Sequence, residues 1–569
     1  MKPKAAFAFL VTVCLPLLAA SQNATSQGVW KVDLRQGAIE APMTKAEDGT
    51  RYYGFKNIPF AEPPVGDRRF KNPAAAGPWT GVRNGSVSSA VCPQLDSEAF
   101  SEGMVKVMGS EDCLYLEVYV PKKNASEFPV MVWIHEGGFL VGGAYYDPTP
   151  LMKEDVIVVV IQYRLGALGF LSTGDAVMSG NYGLKDQVMA LQWVKENIKA
   201  FGGDPNKVTI FGSSSGGASV HLLMLSPMAK GLFHRAIAQS GTALFPGLLR
   251  DDHRQTAGKV GQMLNCSNVN TVNLDSKGLY DCLKNVSAEH FVKVASNFTR
   301  FYIYPQVMAP RVDGDFLPEH PAHMLKKGNY NKVNFMTGFN RDEGSLVIRP
   351  LLMNKSDSDE LASNFSMHGP VLMSIQEGRR TSAEYMARRI FAHYVGGFNI
   401  TEDTADDAVQ MITDHWFAVP MDVSAMMHTK QVTSAHKVYL YELHHCAENN
   451  DSESLNATVG MNWVGHGDET QYLFNGTHPT PLTNPIDNFM REVMVSLWTN
   501  FARTGNPTPD MSLGFKWSPV RGSDLQYLVL VPTPYMKNST RYEDVEFLTN
   551  LPTMQNEILF PERFVIEQN

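Results

Sequence analysis

The sequence predicts an α/β protein in which a mostly parallel sheet is covered by helices on both faces. Short apolar runs rich in β-branched residues recur along the 569-residue chain, as at residues 129–135 and 156–162. Segments with helical periodicity lie between them, as at residues 186–200. Strands that alternate with helices favour parallel pairing. No linker rich in Pro, Ser or Gly divides the chain, so we expect a single domain with long insertions.

The predicted elements follow in a regular order. The run at 129–135 ends in glycines, and the run at 156–162 predicts a second buried strand. The helix over residues 186–200 is expected to stop at Phe201-Gly202-Gly203. Further elements are a strand at 208–211, a helix at 218–224, and strands at 236–239, 333–338 and 438–441. In such sheets, sites form at the carboxyl ends of the strands.

One serine lies in a tight connection between a strand and a helix. Ser214 is the centre of Gly212-Ser213-Ser214-Ser215-Gly216, between the strand at 208–211 and the helix at 218–224. This context is typical of a nucleophile elbow, which lifts a serine off the sheet edge. The alternative is a flexible Gly/Ser linker, but linkers are rarely flanked by an apolar strand and a helix.

Two later loops supply the partners that a nucleophilic serine needs. A serine hydroxyl requires a base to take its proton, and the base requires an acid to hold it in one tautomer. Glu343 follows a predicted strand, and His466 begins His466-Gly467-Asp468-Glu469. The order Ser, acid, His is that of an α/β-hydrolase. Asp342, beside Glu343, is the competing acid and is expected to be a solvated or capping carboxylate.

At these residues the chain resembles the type-B carboxylesterase and cholinesterase family, and it does so over nearly its whole mature length. The landmarks are Arg69-Phe70, residues 111–114, residues 181–187, the elbow, residues 340–344 and residues 466–469. The resemblance implies an α/β-hydrolase fold in which Ser214 is the nucleophile, Glu343 the acid and His466 the base. It implies that the oxyanion hole is formed by the N–H groups of Gly137, Gly138 and Ser215. It also places Ser240 behind the histidine. It also implies internal ion pairs of Arg69 with Glu111 and of Arg164 with Asp186.

The chain departs from the family pattern at four positions. Ser213 replaces a usual Glu or Gln, Ser215 a usual Ala, and Trp463 a usual Gly. Glu136 replaces a usual Gly one residue before the first oxyanion donor, where a carboxylate would repel the forming oxyanion. Glu136 either turns away toward solvent or a partner with little effect, or bears a proton or orients a water and so modulates catalysis.

Several features predict an extracellular protein. Residues 1–20 have the charged start and apolar stretch of a signal peptide, with cleavage near residue 20 or 21, which leaves a mature domain over 21–569. Cys92 with Cys113, and Cys266 with Cys282, close short loops suited to disulfides. Cys446 is expected to be a buried thiol, with an intermolecular bridge as the alternative. The chain carries twelve glycosylation sequons, at Asn23, Asn84, Asn124, Asn265, Asn285, Asn297, Asn354, Asn364, Asn399, Asn456, Asn475 and Asn538.

Other partners are excluded by composition. The net charge of −9 is spread along the chain without a basic cluster, so nucleic acid is not an expected partner. No metal-spaced His/Cys set, phosphate-binding glycine loop, cofactor motif or lipid-anchor tail is found, so we expect no metal, no cofactor and no stable membrane anchor. The sequence predicts no oligomeric state.

The predicted function is hydrolysis of neutral, fairly apolar esters through an acyl-enzyme. The segment between Cys92 and Cys113 contains no tryptophan, whereas choline-binding members of the family hold the cation with a tryptophan there. A juvenile hormone esterase would be favoured by Gln at position 213 and Ala at 215, which the chain lacks. Phe245 and its neighbours 242–244 are expected either to shape an acyl pocket or to belong to the core. The alternatives are a catalytically impaired adhesion or ligand-binding relative and a secreted lipase, although no amphipathic lid is identified.

Overall fold

The computed structural model describes most of the chain. It covers residues 28–564 apart from residues 97–105, 124–126, 268, 299–306, 377–379, 432–435, 449–458, 479 and 523. The predicted signal peptide at residues 1–20 lies outside the described residues.

Strands run through nearly the whole described chain. They are β1 Val29–Asp33, β2 Ala38–Lys45, β3 Arg51–Pro59, β4 Val82–Asn84, β5 Gln94–Leu95, β6 Val107–Met108, β7 Tyr115–Pro121, β8 Phe128–Ile134, β9 Ile157–Ile161, β10 Gly203–Ser213, β11 Arg235–Gln239, β12 Asn334–Asn340, β13 Val438–Leu443, β14 Gln526–Leu530 and β15 Tyr535–Asn538. Strands β5 and β6 pair with each other, and the remaining described strands form one 13-stranded sheet.

The centre of this sheet is parallel. Strands β9, β8, β10, β11, β12, β13 and β14 lie side by side in that order, each parallel to the next. The edges are antiparallel, with β1, β2, β3 and β7 leading to β9 on one side and β15 on the other. Because parallel strands point the same way, the connections after β8, β10 and β12 all open at one edge of the sheet.

The α-helices supply the crossovers and insertions. They are α1 Gly166–Phe170, α2 Tyr182–Asn197, α3 Ser215–Leu225, α4 His253–Met263, α5 Ser276–Leu283, α6 Ala288–Ser296, α7 Pro321–Lys327, α8 Ser345–Met353, α9 Lys355–Ser363, α10 Phe365–Leu372, α11 Ala383–Tyr394, α12 Ala405–Ile412, α13 Val419–Gln431, α14 Thr470–Leu473, α15 Pro485–Thr504, α16 Tyr542–Thr549 and α17 Met554–Leu559. A π-helical segment, Thr413–Ala418, connects α12 to α13. No described helix has the length and apolar character needed to cross a membrane.

The strand side chains separate into two apolar layers. Along β8, Val130, Val132 and Ile134 join one buried cluster, while Met131 and Trp133 join another. This alternation follows from the two-residue period of a strand, and it requires both faces of the sheet to be covered. The α/β-hydrolase fold predicted from the sequence is thereby confirmed.

The structure corrects one predicted boundary. The helix expected over residues 186–200 begins at Tyr182, and its last turn is a 3₁₀ segment, Ile198–Phe201. The earlier start follows from Asn181, whose left-handed backbone (φ 56°) turns the chain into the helix. The Asn181 carbonyl accepts the Lys185 amide at 3.0 Å. Periodicity did not reveal this start because the first turn is buried on several sides.

Covalent and ionic links tie the insertions to the sheet. Disulfides join Cys92 to Cys113 and Cys266 to Cys282, as expected. The Cys446 thiol is half-buried and lies 3.7 Å from the Ala447 carbonyl oxygen.

Both ion pairs implied by the resemblance form. Arg69 Nε donates to Glu111 at 2.7 Å, and Arg164 Nε donates to Asp186 at 2.7 Å. Each arginine makes a second bond to the same carboxylate, so both pairs are bidentate and nearly buried. They lie apart from the serine, consistent with a structural role.

Candidate active site

Ser214 lies in a strained turn between β10 and α3. Its backbone has φ 56° and ψ −121°, a conformation that non-glycine residues rarely adopt. The turn is held from both sides, since the Ser214 amide donates to the Gln239 carbonyl and the Ser214 carbonyl accepts from the Ala218 amide, at 2.9 and 2.8 Å. Strain of this kind persists only where the surroundings fix it, and it presents the hydroxyl beyond the sheet edge.

Two glycines flank the serine because backbone passes too close for a side chain. A Cβ at Gly212 would lie 2.4 Å from the Ile134 carbonyl oxygen, and one at Gly216 would lie 2.0 Å from it. The pattern Gly-x-Ser-x-Gly is therefore required here by packing against β8.

His466 is held by Glu343. His466 Nδ1 lies 2.6 Å from Glu343 Oε2, and Glu343 Oε1 accepts the Asn340 amide at 2.7 Å. Glu343 is completely buried, and burial raises the pKa of its carboxyl despite the attraction of His466. For His466, burial alone would lower the pKa, but the charge and hydrogen bond of the Glu343 carboxylate hold it above its usual value, with a smaller contribution from Glu469.

Asp342 has a different environment from its neighbour Glu343. It forms an ion pair with Arg341, and its carboxylate accepts the Val464 amide at 2.8 Å. Asp342 therefore anchors the loop that leads to His466 without contacting the imidazole. Of the two adjacent acids, Glu343 is the one bonded to the histidine.

The loop after β8 carries the predicted oxyanion donors. Gly137 and Gly138 have φ values of 108° and 60°, and a Cβ at Gly137 would lie 2.1 Å from the Val141 carbonyl oxygen. At the start of the loop the His135 ring stacks on Tyr163 with centroids 4.3 Å apart. At its end, Gly142 exchanges two hydrogen bonds with the Gln94 amide, at 2.7 and 2.8 Å.

This loop is therefore rigidly supported. Gln94 lies two residues from the Cys92–Cys113 disulfide, which ties the support to the sheet edge. Rigid support matters because backbone donors stabilise developing charge only when they are already in place.

The predicted residues share one cavity of about 310 Å³. Its lining includes the predicted nucleophile, base and oxyanion donors, namely Ser214, His466, Gly137, Gly138 and Ser215. Within the described residues, Ser214 Oγ makes no hydrogen bond to His466 in this structure. In ligand-free enzymes such bonds are often long and tighten only when substrate binds.

Apolar side chains form much of the remaining wall. Phe245, one of the residues proposed to shape an acyl pocket, lines the cavity, whereas its neighbours Ala243 and Leu244 are buried in the core. Phe417, from the π-helical segment, packs against His466 with ring centroids 5.0 Å apart. Sequence analysis missed Phe417 because it lies far along the chain and no motif marks it.

Ser240 also lines this cavity. Its amide donates to the Gly338 carbonyl at 2.8 Å, but its buried hydroxyl has no hydrogen-bond partner among the described residues. The structure therefore brings Ser240 to the site without bonding it to the histidine.

Glu469 is a buried carboxylate beneath the site that sequence analysis did not single out. It accepts hydrogen bonds from Ser213 Oγ at 2.6 Å, from Asn340 Nδ2 at 2.7 Å and from Gln239 Nε2 at 3.1 Å. The family landmark at residues 466–469 contained it, which was the available signal. Ser213, one of the four departures, is thus turned toward this carboxylate.

Glu136, the departure next to the predicted oxyanion donors, is partly buried. Its side chain lines the cavity, and its Oε2 atom is buried. Burial raises the pKa of Glu136 to about 7, and Glu469 adds to the rise while Tyr146 and His466 oppose it. An acid in the oxyanion loop therefore faces the same space as the serine.

Trp463, another departure, is a packing residue. Its indole N–H donates to Asp406 at 2.7 Å, and the Arg349 guanidinium lies 5.3 Å from the ring centroid. The ring covers Gly460, where a Cβ would lie 2.1 Å from it. These contacts join the loop before His466 to the helices around α12.

Among the described residues, no group of three or more His, Cys, Asp or Glu side chains could hold a metal ion. The pairing of His466 with Glu343 has the form used in nucleophilic catalysis.

The fold and the elbow define the chain as an α/β-hydrolase. The sequence profile of the carboxylesterase family matches residues 29–548. The chain therefore belongs to the carboxylesterase family and is a carboxylic ester hydrolase.

Named relatives agree with this assignment. The chain is 37% identical over 506 residues to juvenile hormone esterase of Tribolium castaneum, covering 84% of each sequence. It is 34% identical over 526 residues to cocaine esterase of Homo sapiens, covering 89% of each. It is 33% identical over 574 residues to carboxylesterase 1E of Rattus norvegicus, covering 96% of this chain and 98% of the relative.

Proposed function

We propose that this chain hydrolyses carboxylic esters through Ser214, His466 and Glu343, with an acyl group carried on Ser214. The observation that carries the proposal is the 2.6 Å bond from His466 Nδ1 to Glu343, beside the cavity that Ser214 lines. With Nδ1 committed to the carboxylate, Nε2 is the nitrogen that remains to exchange protons in the cavity.

In the proposed acylation, one proton passes from Ser214 through His466 to the leaving alcohol. Ser214 Oγ attacks the ester carbonyl carbon while His466 Nε2 takes the hydroxyl proton. The carbonyl oxygen becomes an oxyanion that the N–H groups of Gly137, Gly138 and Ser215 stabilise. The tetrahedral intermediate then expels the alcohol, which receives the proton from His466.

Deacylation repeats the sequence with water as the nucleophile. His466 takes a proton from water, the hydroxide attacks the acyl carbon, and the acid leaves as Ser214 regains its proton. Glu343 stabilises the imidazolium in both steps without taking the proton.

The substrates we propose are neutral and fairly apolar esters. Phe139, Phe245, Leu248, Leu346 and Phe417 line the cavity, and such side chains favour uncharged acyl and alkyl groups. The relatives are named for different esters, which supports a class of substrate more than one compound.

We further propose that the mature protein spans residues 21–569 and is secreted. The signal-like residues 1–20, the sequons and the two disulfides support an oxidising, extracellular setting. Its partner is then a small-molecule ester.

A steady-state assay separates this proposal from the impaired adhesion or ligand-binding alternative. We expect hydrolysis of nitrophenyl butyrate, and its loss in Ser214→Ala but not in Ser88→Ala, which removes an exposed serine hydroxyl. We also expect the neutral butyrate ester to react faster than butyrylcholine. Hydrolysis by Ser214→Ala at the wild-type rate would contradict the triad, and no hydrolysis by the wild type would favour the binding alternative.

A further inference from the structure

Glu136 presents an unsatisfied acid to the ester-binding cavity. It precedes Gly137 in the oxyanion loop and lines the same cavity as Ser214. Its Oε2 atom is buried and makes no hydrogen bond within the described residues. An unsatisfied buried polar atom is costly, so a hydrogen-bonding group that enters the cavity would stabilise this carboxyl.

The surroundings of this carboxyl favour its protonated form. Burial raises its pKa to about 7, and the carboxylate of Glu469 adds repulsion, while the Tyr146 hydroxyl and His466 act in the opposite direction. The other titratable groups near it are Tyr145 and Tyr163, and burial raises the pKa of each.

These tyrosines are neutral hydroxyls at neutral pH, since burial also raises the pKa of Tyr146. His135, whose Nδ1 lies 2.8 Å from the Glu136 carbonyl oxygen, is neutral as well because burial lowers its pKa to about 4. His466 is therefore the basic group whose protonation is coupled to that of Glu136.

A neutral carboxyl differs from a carboxylate in the bond that it can make. A carboxylate only accepts hydrogen bonds and would repel an oxyanion, whereas the protonated group carries one O–H donor. An acid kept neutral by an apolar site can donate to an oxygen on which negative charge develops. The oxygens that enter this cavity are those of the bound ester.

We propose that Glu136 is a further catalytic residue whose protonated carboxyl donates a hydrogen bond to an oxygen of the ester held beside Ser214. The proposal rests on the function proposed for Ser214. Glu136 keeps its proton throughout, and the proton that moves still passes from Ser214 to His466 and on to the leaving alcohol.

The two groups then make opposite demands on pH. His466 must be deprotonated to act as a base, and Glu136 must be protonated to act as a donor. Acylation should therefore rise as His466 loses its proton and fall as Glu136 ionises, which gives a bell-shaped pH profile.

Two substitutions test this requirement separately. Glu136→Gln keeps an N–H donor that cannot ionise, and Glu136→Ala removes the donor. We would measure the pre-steady-state burst of nitrophenol release from nitrophenyl acetate between pH 5.5 and 9, with melting temperature as the check on folding. We expect the wild-type acylation rate to fall above about pH 7, the fall to vanish in Glu136→Gln, and Glu136→Ala to be slower by about tenfold or more at pH 6.5.

The outcomes separate this proposal from the one on which it rests. A burst that survives Ser214→Ala, or no burst in the wild type, contradicts the function proposed for Ser214. A wild-type burst that depends on Ser214 but is as fast in Glu136→Ala contradicts the donor role alone. An alkaline fall that persists in Glu136→Gln assigns that ionisation to another group and also overturns the proposal. If Glu136→Ala does not fold, the pH profile of Glu136→Gln still decides.

Discussion

Two buried clusters in this protein each place several acids around one basic side chain. The two clusters differ in whether the basic group can exchange its proton with a substrate. The first surrounds His466, with Glu136, Glu343 and Glu469. The second surrounds Arg541, with Asp414, Asp422 and Glu442. Both clusters carry more acidic than basic groups, so both must relieve the cost of burying like charges.

The Arg541 cluster relieves part of this cost by partial protonation of Asp422. Burial raises the pKa of Asp422 to about 7 and that of Asp414 to about 6, in spite of Arg541. For Glu442, burial acts upward, but a hydrogen bond from His444 and the charge of Arg541 bring the pKa down to about 2. At neutral pH Asp422 is therefore about half protonated and Asp414 is mostly ionised, so one guanidinium is shared among three acids.

The His466 cluster keeps its central cation titratable and open to a cavity. The His466 imidazole can gain and lose a proton, whereas a guanidinium keeps its charge. The comparison teaches that buried carboxyl groups alone do not mark an active site. The His466 cluster is distinguished by a base that can exchange its proton and by a cavity in which a substrate could receive it.

The largest expected effect is on activity at the His466 cluster. Glu343→Gln leaves the size of the side chain unchanged but removes the charge that orients and stabilises the imidazolium, so we expect kcat to fall by about 10³–10⁴. The matched control is Asp342→Asn on the adjacent acid, which we expect to stay within about tenfold of wild type. Steady-state hydrolysis of nitrophenyl butyrate by both variants measures these effects. Equal losses of kcat in the two variants would contradict the assignment of Glu343 as the acid that acts on His466.

The second effect is on stability at the Arg541 cluster. Arg541→Met removes the guanidinium that Asp414, Asp422 and Glu442 share, and we expect the free energy of unfolding to fall by about 3–5 kcal/mol. Arg35→Met, which breaks an exposed pair with Glu196, should cost less than about 1 kcal/mol. Denaturant titrations measure both, and kcat per folded molecule should change little in Arg541→Met. A large loss of kcat with unchanged stability would contradict the structural assignment.

The third effect is a pH dependence of stability that Asp422→Asn should remove. The folded-state pKa of Asp422, about 7, is above its ordinary value, so the folded protein binds more protons than the unfolded chain between about pH 4 and 7. Stability from this group is therefore present at low pH and is lost as pH rises through about 7. We expect the difference in unfolding free energy between wild type and Asp422→Asn to change by more than about 1.4 kcal/mol from pH 4 to pH 8. A constant difference would show that Asp422 does not titrate there.

The smallest effect is expected at Ser240. Its hydroxyl is buried and unbonded within the described residues, so Ser240→Ala removes no hydrogen bond seen in this structure. We expect kcat/KM for nitrophenyl butyrate to change by less than about tenfold. A larger loss, with unchanged melting temperature, would mean that Ser240 bonds to His466 or to substrate during the reaction.

The sequence predicted the centre of the fold better than its edges. The buried strands around residues 129–135, 156–162, 208–211 and 236–239 were found because fully apolar runs bounded by glycines are distinctive. Strands β1 to β7, β14 and β15 were not predicted. Most of them have alternating or mixed patterns of apolar residues, which give a weak signal even though β1, β2 and β3 pair with their neighbours along the chain and β15 pairs with β14.

The candidate site could be predicted where motifs mark it. Ser214, Glu343 and His466 lie in local patterns tied to turns, and the structure brings Glu343 and His466 into contact. Glu469 and Phe417 could not be assigned in this way, because their positions depend on long-range packing. The orientation of the Glu136 side chain could not be predicted either, because a single substitution within a motif carries no information about side-chain direction.

Acylation of Ser214 is the most direct test of the account. Rapid quenching of the protein with nitrophenyl acetate, followed by mass spectrometry of the digested chain, would locate the acyl group. The account predicts one acetyl group per folded molecule, on the peptide that contains Ser214, and none in Ser214→Ala. An acetyl group on another residue, or turnover in Ser214→Ala, would contradict it.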